Sequence, residues 1–219
     1  KLAREITVAA KSGMPDPKKN PRLRNAMINA RHENMPNDRI NKALQKATSN
    51  DDNTQYDEIR YEGIANNGVF LIIETLTDNK NRTASEIRTI LNKNGGVLGE
   101  TGSASFNFEK IGEVKYDSQN ISKEKFFDFS IDKNALDVIE EEPYIISTCN
   151  PENFSKFRDD LELEFGEPKK SELIWKAKNP IKLEPDIEKT VLSLIDLLEE
   201  NDDIQRVFSN INLNQDLEE

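Results

Sequence analysis

The sequence predicts an α+β protein of three domains: an N-terminal helical domain and two α+β domains, one inserted in the other. Apolar residues recur at helical spacing through the first 48 residues. Val69–Leu76 is a continuous apolar, β-branched run, which is typical of a central strand. Strand-like and helix-like segments then alternate along the chain. We predict residues 1–50 as the helical domain, 56–118 plus 183–210 as a split domain, and 119–182 as the inserted domain.

The helical domain is predicted as three short helices. The first covers residues 2–11. The second follows Asn20-Pro21, an N-cap residue before a proline at the first helical position, and Pro36 closes it. The third starts at Asn37 or Asp38 and carries its own apolar stripe.

Charge is distributed unevenly along the chain. The net charge is −11, yet residues 1–46 hold eleven Lys/Arg and only four Asp/Glu, a local charge of +7. The remainder therefore carries −18. A basic head on an acidic body is expected of a protein that binds a polyanion.

Five basic residues of the head are predicted to line a phosphate backbone. Arg39, Lys42 and Lys46 fall on one helical face, and Lys18 and Lys19 stand in the preceding loop. No constellation of base-reading side chains stands out. The turn between the second and third helices lacks glycine, so the sequence does not favour a helix-turn-helix motif.

The split domain is predicted to begin with a β-α-β-β order, the first two-thirds of a ferredoxin-like unit. After the strand at Val69–Leu76 comes a polar turn at 77–82 and then a helix. The sequence Thr83-Ala84-Ser85-Glu86 fits a capping box that would start this helix. Ala104–Glu109 alternates as a half-buried strand, and a turn leads into Glu113–Tyr116.

The inserted domain is predicted as a second ferredoxin-like unit. Its expected elements are a helix at Ser122–Asp132, strands at Val138–Glu141 and Tyr144–Thr148, a phenylalanine-rich helix capped by Asn150-Pro151-Glu152, and a strand at Ser171–Ala177. A helix at Asp186–Glu200 and a strand at Ile204–Phe208 would complete the split domain. Ser49–Gln55 is interpreted as a linker and Asn212–Glu219 as a frayed tail.

Two irregular segments flank the helix of the split domain and form the expected recognition surface. One is the polar turn 77–82, and the other is the segment 95–102 with Gly95, Gly96, Gly99 and Gly102. These glycines follow a helix, whereas a dinucleotide-binding fingerprint places them before one. The sequence therefore predicts recognition here rather than nucleotide binding.

No catalytic motif is found. His32 is the chain's one histidine, Cys149 its one cysteine, and no phosphate-binding loop or HExxH motif occurs. Asp78, Glu86 and Glu100 could converge to bind a metal or act as acid and base, although such residues are more often caps and ion-pair partners. We predict a non-enzymatic protein without a metal or other cofactor.

Composition also bears on location. No apolar run approaches the length that spans a membrane, and no signal peptide is visible. A single cysteine excludes an intrachain disulfide and fits a reducing compartment. The expected location is the cytoplasm, with no membrane partner, no small-molecule substrate and a monomeric state.

Several long motifs closely resemble the YebC family of bacterial regulators, which has mitochondrial members that activate translation. They are REITVAAKSG at 4–13, NPRLRNAM at 20–27, NMPNDRINKALQKAT at 34–48, YEGIANNGVFLIIETLTDNKNRT at 61–83, NKNGGVLGETGSASFNFE at 92–109 and LIDLLEENDDIQRVFSNI at 194–211. The resemblance implies a helical head and two α+β domains. It also implies a non-enzymatic, nucleic-acid-binding regulator of gene expression.

The resemblance leaves two functions open: a DNA-binding transcriptional regulator, or a ribosome-associated factor that binds RNA and assists elongation through difficult, proline-rich stretches. An enzyme and a protein-interaction adaptor are the rivals from other classes. By resemblance the functional positions are Arg4, Lys11, Arg22, Arg24 and Arg39 in the head, and Asp78, Asn79, Asn81, Arg82, Gly95, Gly96, Gly99, Glu100 and Gly102 in the split domain. Lys80 stands where the motif often has arginine, which keeps the charge but loses the bidentate geometry.

Overall fold

The computed structural model describes residues 1–49 and 54–213. Their elements, in chain order, are α1 (Leu2–Lys11), α2 (Pro21–His32), α3 (Asn37–Thr48), β1 (Asp57–Ala65), β2 (Val69–Thr77), α4 (Lys80–Lys93), β3 (Val97–Leu98), β4 (Phe108–Asp117), α5 (Lys123–Asp132), β5 (Asp137–Glu141), β6 (Tyr144–Cys149), α6 (Phe154–Phe165), β7 (Lys170–Ala177), α7 (Pro185–Glu199) and β8 (Ile204–Ser209). The predicted α+β class is confirmed.

The described chain divides into two compact units. The first unit contains residues 54–109 and 175–213, and the second contains residues 2–49 and 110–174. The boundary between them falls within β4 and β7. The three-domain boundaries read from the sequence stay a prediction.

Three helices form the N-terminal part of the second unit, as predicted. Their shared core is made of Ile6, Leu23, Ile40 and several alanines, all buried. Alanines allow short helices to approach closely with little side-chain entropy cost. Thr7 strengthens the contact between α1 and α3, because its hydroxyl donates to the Ala43 carbonyl oxygen at 3.1 Å.

The rest of the second unit is an antiparallel sheet with strand order β5-β6-β4-β7, together with α5 and α6. Aromatic and aliphatic side chains of both helices and the sheet form one core, including Phe126, Phe157 and Leu161. The turn between β5 and β6 contains a cis peptide bond between Glu142 and Pro143.

The first unit is built on a second antiparallel sheet, with strand order β3-β1-β2-β8. One face of β2 presents Val69, Leu71 and Ile73 to the buried side chains of α4 and α7. This core explains the apolar run Val69–Ile73 of β2, because the opposite face of the strand also holds a buried residue, Ile72.

The prediction of two short strands at Ala104–Glu109 and Glu113–Tyr116 is wrong. Residues 105–107 form a 3₁₀ turn, and β4 runs from Phe108 to Asp117 without interruption. Gly112, the expected turn residue, instead allows close packing: a Cβ there would lie 2.5 Å from a ring carbon of Phe154. β4 pairs with β6 and β7, so it does not extend the sheet of β1 and β2.

The predicted capping box at Thr83–Glu86 is also wrong. Helix α4 begins at Lys80, and Asn79 is its N-cap, accepting from the Arg82 backbone N–H at 3.0 Å. Thr83 is buried inside the first turn. The predicted polar turn at 77–82 is therefore half helix. Parts of the predicted linker and tail, residues 50–53 and 214–219, lie outside the described residues.

Candidate nucleic-acid interface

Helix α3 presents a row of exposed basic side chains. Arg39, Lys42 and Lys46 are exposed and lie three and four residues apart, so they share one face, which adjoins the face that buries Ile40 and Ala43. Among the described residues no ion pair involves Arg39 or Lys42. Arg39 and Lys42 are therefore available to an external anion.

The loop before α2 adds two more exposed cations. Lys18 and Lys19 are exposed and sit in a turn closed by Asp16, whose carboxylate accepts from the Lys18 backbone N–H at 2.9 Å. Asn20 ties down the end of the loop, since its side chain donates to the Ala9 and Met14 carbonyl oxygens at 2.7 and 2.9 Å. The loop thus holds its lysines on a fixed backbone.

Helix α2 uses its predicted phosphate-binding arginines internally. Arg22 is ion-paired with Glu5 at 2.9 Å, and Arg24 with Asp159 at 2.7 Å. The buried Arg158 also binds Asp159 and donates to the Pro21 carbonyl oxygen at 3.3 Å. A competing phosphate would have to displace these carboxylates. The structure thus places Arg22 and Arg24 in stabilising contacts of the second unit.

Two asparagines complete the attachment of α2 to the second unit. The Asn25 amide donates to the Ser171 backbone oxygen at 2.7 Å, and the Ser171 hydroxyl donates back to the Asn25 side-chain oxygen. Asn29 reaches the same backbone oxygen at 3.4 Å. The polar face of α2 is therefore engaged within the protein.

The other predicted head residues lie on α1. Arg4 is half-buried in its first turn, and Lys11 is exposed in its last. His32 lies 3.4 Å from Glu167, an ion-pair distance in the second unit if the imidazole is protonated. Arg4 and Lys11 therefore lie on a different helix from the basic residues of α3.

In the first unit, the start of α4 is organised by a buried acid that the sequence analysis missed. One carboxylate oxygen of Asp203 accepts from the hydroxyls of Thr77 and Thr83 at 3.2 and 2.7 Å. The same oxygen accepts from Arg82 at 2.7 Å, and Arg82 also contacts Asp78 at 2.8 Å. Hydrogen bonds from Arg82 to Asp203 and then to Asp78 raise the pKa of its guanidinium. Arg82 is thus an anchor of the helix start.

The remaining polar residues at this helix start are more exposed. Lys80 and Asn81 lie on the first turn of α4, and both are exposed. Lys80 is 3.4 Å from Asp57, and its backbone oxygen accepts from the Tyr61 hydroxyl at 3.2 Å. Of the three predicted nucleic-acid contacts here, Asn79 is a cap, Arg82 is an internal anchor and Lys80 remains an accessible cation.

A second buried acid shapes the glycine-rich segment. Glu62 is 2% exposed, and one of its carboxylate oxygens accepts from the backbone N–H groups of Ala104 and Ser105 at 2.7 and 2.8 Å. Burial alone would raise the pKa of Glu62, but hydrogen bonds from the backbone of Gly102, Ala104 and Ser105 together lower it. The carboxylate therefore holds the segment in place as an anion.

The glycines of this segment are required by close packing and by backbone conformation. Gly95 and Gly102 have φ values of +75° and +94°. A Cβ on Gly96 would lie 3.1 Å from the Ile64 carbonyl oxygen, and one on Gly99 would lie 2.2 Å from the Ser103 hydroxyl oxygen. Their roles in this structure are structural, and Glu100 is the exposed charge between them.

The three candidate catalytic carboxylates have different neighbours. Asp78 pairs with Arg82, whereas Glu86 accepts from the Asn201 amide at 2.6 Å. Across the described part of the chain, no group of three His, Cys, Asp or Glu side chains is arranged to hold a metal ion. Burial raises the pKa of the Cys149 thiol to about 11, which disfavours the nucleophilic thiolate.

Within residues 1–49 and 54–213, no helix has the length and apolar character that crossing a membrane requires.

Sequence comparison covers nearly the whole chain. Residues 1–50 match the family model described as the TACO1/YebC protein N-terminal domain. Residues 56–211 match the Transcrip_reg family, described as the TACO1/YebC second and third domain. The fold is also similar to the crystal structure of a conserved hypothetical protein, Aq1575, from Aquifex aeolicus. That similarity has a TM-score of 0.87 and 34% sequence identity, and it covers 100% of this chain and 90% of that one. The resemblance read from the motifs is confirmed: this chain belongs to the TACO1/YebC family.

Proposed function

We propose that this protein is a non-enzymatic regulator of gene expression that binds nucleic acid through the basic row Arg39, Lys42 and Lys46 of α3. The exposure of this row on one helical face carries the proposal. The whole chain has a net charge of −11, whereas this solvent-exposed helix face carries only positive side chains. Such a face attracts the negative charges of a phosphate backbone. Lys18 and Lys19 extend the cationic surface of the head.

Duplex DNA is one target of this proposal, as for a transcriptional regulator. A basic helix that enters the major groove positions itself with phosphate contacts and reads bases with its polar side chains. Helix α3 carries Asn37, Asn41 and Gln45 as exposed polar residues. The Transcrip_reg family match supports this reading.

RNA is the second target, as for a translation factor, and the attachment of α2 favours it. A helix-turn-helix protein uses two helices on the duplex, one across the backbone and one in the groove. Here Arg24, Asn25 and Asn29 of α2 are held by residues of the second unit. A single short helix then remains to meet the target, which suits shape-based contact with RNA better than a base-reading motif.

Binding measurements with a charge-matched control test the proposal. The variant R39E/K42E/K46E reverses the basic row, and R88E/K182E/K189E reverses three exposed cations of the first unit. We expect the α3 variant to lose at least about tenfold in affinity for nucleic acid, and the control to lose much less. Equal affinities of wild type and the α3 variant would overturn the proposal.

The same preparations separate the two targets. Binding to duplex DNA, duplex RNA and single-stranded RNA is compared at equal salt, and the protein is tested for co-sedimentation with ribosomes. Preference for RNA together with ribosome co-sedimentation supports the translation role. Preference for duplex DNA, with no protein in the ribosome fraction, supports the transcription role.

The absence of catalysis is part of the proposal and has its own assay. We expect no nuclease or phosphatase activity in the presence of Mg²⁺. If such an activity is found, and Asp78→Asn abolishes it without unfolding the protein, the protein is an enzyme and this part of the proposal fails.

A further inference from the structure

Four aromatic side chains lie at the second face of the sheet of the first unit: Phe70 and Phe208 belong to its strands, Trp175 lies on β7, and Phe106 lies in the 3₁₀ turn at 105–107. On the face turned away from α4 and α7, Phe70, Trp175 and Phe208 pack around the buried core of Ile72, Ala104 and Phe108. Phe106 meets Phe70 edge-on, with ring centroids 5.4 Å apart. We call Phe70, Phe106, Trp175 and Phe208 the aromatic face.

Phe106 is the accessible ring of this face. It is 61% exposed, whereas Phe70, Trp175 and Phe208 are half-buried. The 3₁₀ turn at 105–107 holds Phe106 in position, and the buried Glu62 binds the backbone of Ala104 and Ser105 next to it. An exposed phenylalanine on so fixed a backbone loses little conformational freedom when it binds a flat partner.

Arginines lie against the rings of the same face. The Arg60 guanidinium carbon is 4.9 Å from the Trp175 ring centroid, and that of Arg206 is 5.1 Å from the Phe208 centroid. Glu74 lies between them: it accepts from the Trp175 indole N–H at 2.9 Å and pairs with Arg206 at 3.0 Å. The register places Arg60, Glu74 and Arg206 side by side across three neighbouring strands.

The cations continue beside the exposed ring. Lys178 donates to the Phe106 backbone oxygen at 3.1 Å, and its side chain is exposed. Phe70, whose ring Phe106 contacts, lies four residues from Glu74 along β2, a separation of about 13 Å at the ordinary strand rise. Rings and cations thus lie next to one another on this surface.

This arrangement suits one class of ligand. Unstacked nucleobases bind aromatic rings through their faces, while the attached phosphates need nearby cations. Arg60 lies 3.3 Å from Glu62 and Arg206 lies 3.0 Å from Glu74, so the exposed Lys178 is the cation beside the rings that an apolar helix of a partner protein would leave without an anion. The aromatic face therefore matches a single-stranded nucleic acid better than it matches an apolar protein surface.

We propose that the aromatic face binds a single-stranded segment of nucleic acid, with Phe106 stacking on one base and the exposed Lys178 contacting a phosphate. This deepens the proposed function and rests on it: α3 holds a phosphate backbone, and the aromatic face receives an unpaired base. Stacking requires a planar ring at position 106, which gives the proposal a specific test.

The chain contains a reporter for this test. Trp175 is its one tryptophan and belongs to the aromatic face. Fluorescence of the full chain is titrated with a single-stranded oligoribonucleotide and with duplex RNA of the same length, and affinity is measured in parallel by anisotropy. We expect the single strand to change Trp175 emission and the duplex to change it far less.

Variants at position 106 separate stacking from simple apolar contact. We expect F106A and F106L to lower single-strand affinity roughly 5- to 150-fold, the range for loss of one stacked base, and F106Y to retain it. Phe127→Ala is the control, because Phe127 is also exposed, at 49%, but belongs to the second unit. F106L binding as tightly as wild type would overturn the proposal.

The outcomes also separate this inference from the proposed function. If R39E/K42E/K46E loses binding, F106A binds as tightly as wild type and Trp175 emission does not change, the aromatic face is not a binding site and the role of α3 stands. If F106A loses binding and the α3 variant does not, the aromatic face stands and the role of α3 fails. Absence of nucleic-acid binding by the wild type overturns both.

Discussion

At the residue scale, two buried acids hold the segments that flank α4. Asp203 and Glu62 are 4% and 2% exposed, and each accepts hydrogen bonds from groups that would otherwise be unsatisfied. A buried carboxylate is costly unless it is paired and hydrogen-bonded; Asp203 is paired with Arg82 at 2.7 Å, and Glu62 lies 3.3 Å from the Arg60 guanidinium. Neither position stood out in the sequence, because their partners lie far away along the chain.

Asp203→Ala is expected to lower the free energy of unfolding of the protein by about 2–4 kcal/mol. The change leaves Thr77, Thr83 and the Arg82 guanidinium without their shared acceptor. Urea denaturation measures the effect. Asp202→Asn is the control, since its exposed side chain should change stability by less than about 0.5 kcal/mol. Equal stability of the two variants would contradict the role of Asp203.

Glu62→Gln is expected to make stability less dependent on acid pH. Because the folded state lowers the pKa of Glu62 below its ordinary 4.5, its stabilising contribution is present above that pH and is lost as the pH falls through the folded value. The variant should be about 1 kcal/mol less stable than wild type near neutral pH, with the difference shrinking as the pH falls below 4.5. Denaturation across this range checks it, and a pH-independent difference would argue against the carboxylate's role.

Gly95→Ala and Gly68→Ala form a matched pair. Both glycines have φ of +75°, so alanine costs each about 1 kcal/mol in backbone strain. A Cβ on Gly95 would also lie 2.4 Å from the Asn66 amide nitrogen, whereas nothing lies within 4 Å of one on Gly68. Thermal unfolding should therefore show the larger loss for Gly95→Ala. Similar losses would mean that Asn66 moves aside freely.

At the element scale, α4 shows how a capping motif can mislead. The sequence offers a capping box at Thr83–Glu86, but Asn79 begins the helix four residues earlier. Thr83 uses its hydroxyl in the buried contact with Asp203, and Glu86 binds Asn201. Thr83 and Glu86 thus make tertiary contacts, although their local sequence pattern indicates the start of a helix.

Asn79→Ala should therefore cost about 1 kcal/mol of stability through loss of the N-cap. Asn81→Ala is the control, because Asn81 is exposed in the first turn and alanine favours the helix there. Denaturation of both variants checks the expectation. A larger loss in Asn81→Ala would contradict the observed helix start.

Elements with their own apolar stripe were predictable from the sequence, and elements defined by distant partners were not. The first helix and β2 were predicted within one residue, since their patterns are local, whereas α2 ends at His32, before the predicted close at Pro36. The sheet of β4 is fixed by β6 and β7, which no local pattern reveals. The same holds for the candidate site. The row of cations on α3 could be predicted from residue spacing, whereas the contact of Arg24 with Asp159, 135 residues later, could not.

At the scale of the whole molecule, the central feature is positive charge on the head of an acidic protein. The four acids of residues 1–46 leave a local charge of +7, against −18 for the rest. Such an arrangement attracts a polyanion to one part of the molecule and repels it from the remainder. The affinity should therefore depend strongly on salt, through the counterions released from the phosphates.

The salt dependence of nucleic-acid binding by wild type and by R39A/K42A/K46A tests this account most directly. If the three side chains of α3 contact phosphates, their loss should make the slope of log affinity against log salt shallower by about 2–3. The control R88A/K182A/K189A should keep the wild-type slope. A slope unchanged in the α3 variant, or a wild-type affinity independent of salt, would contradict the account.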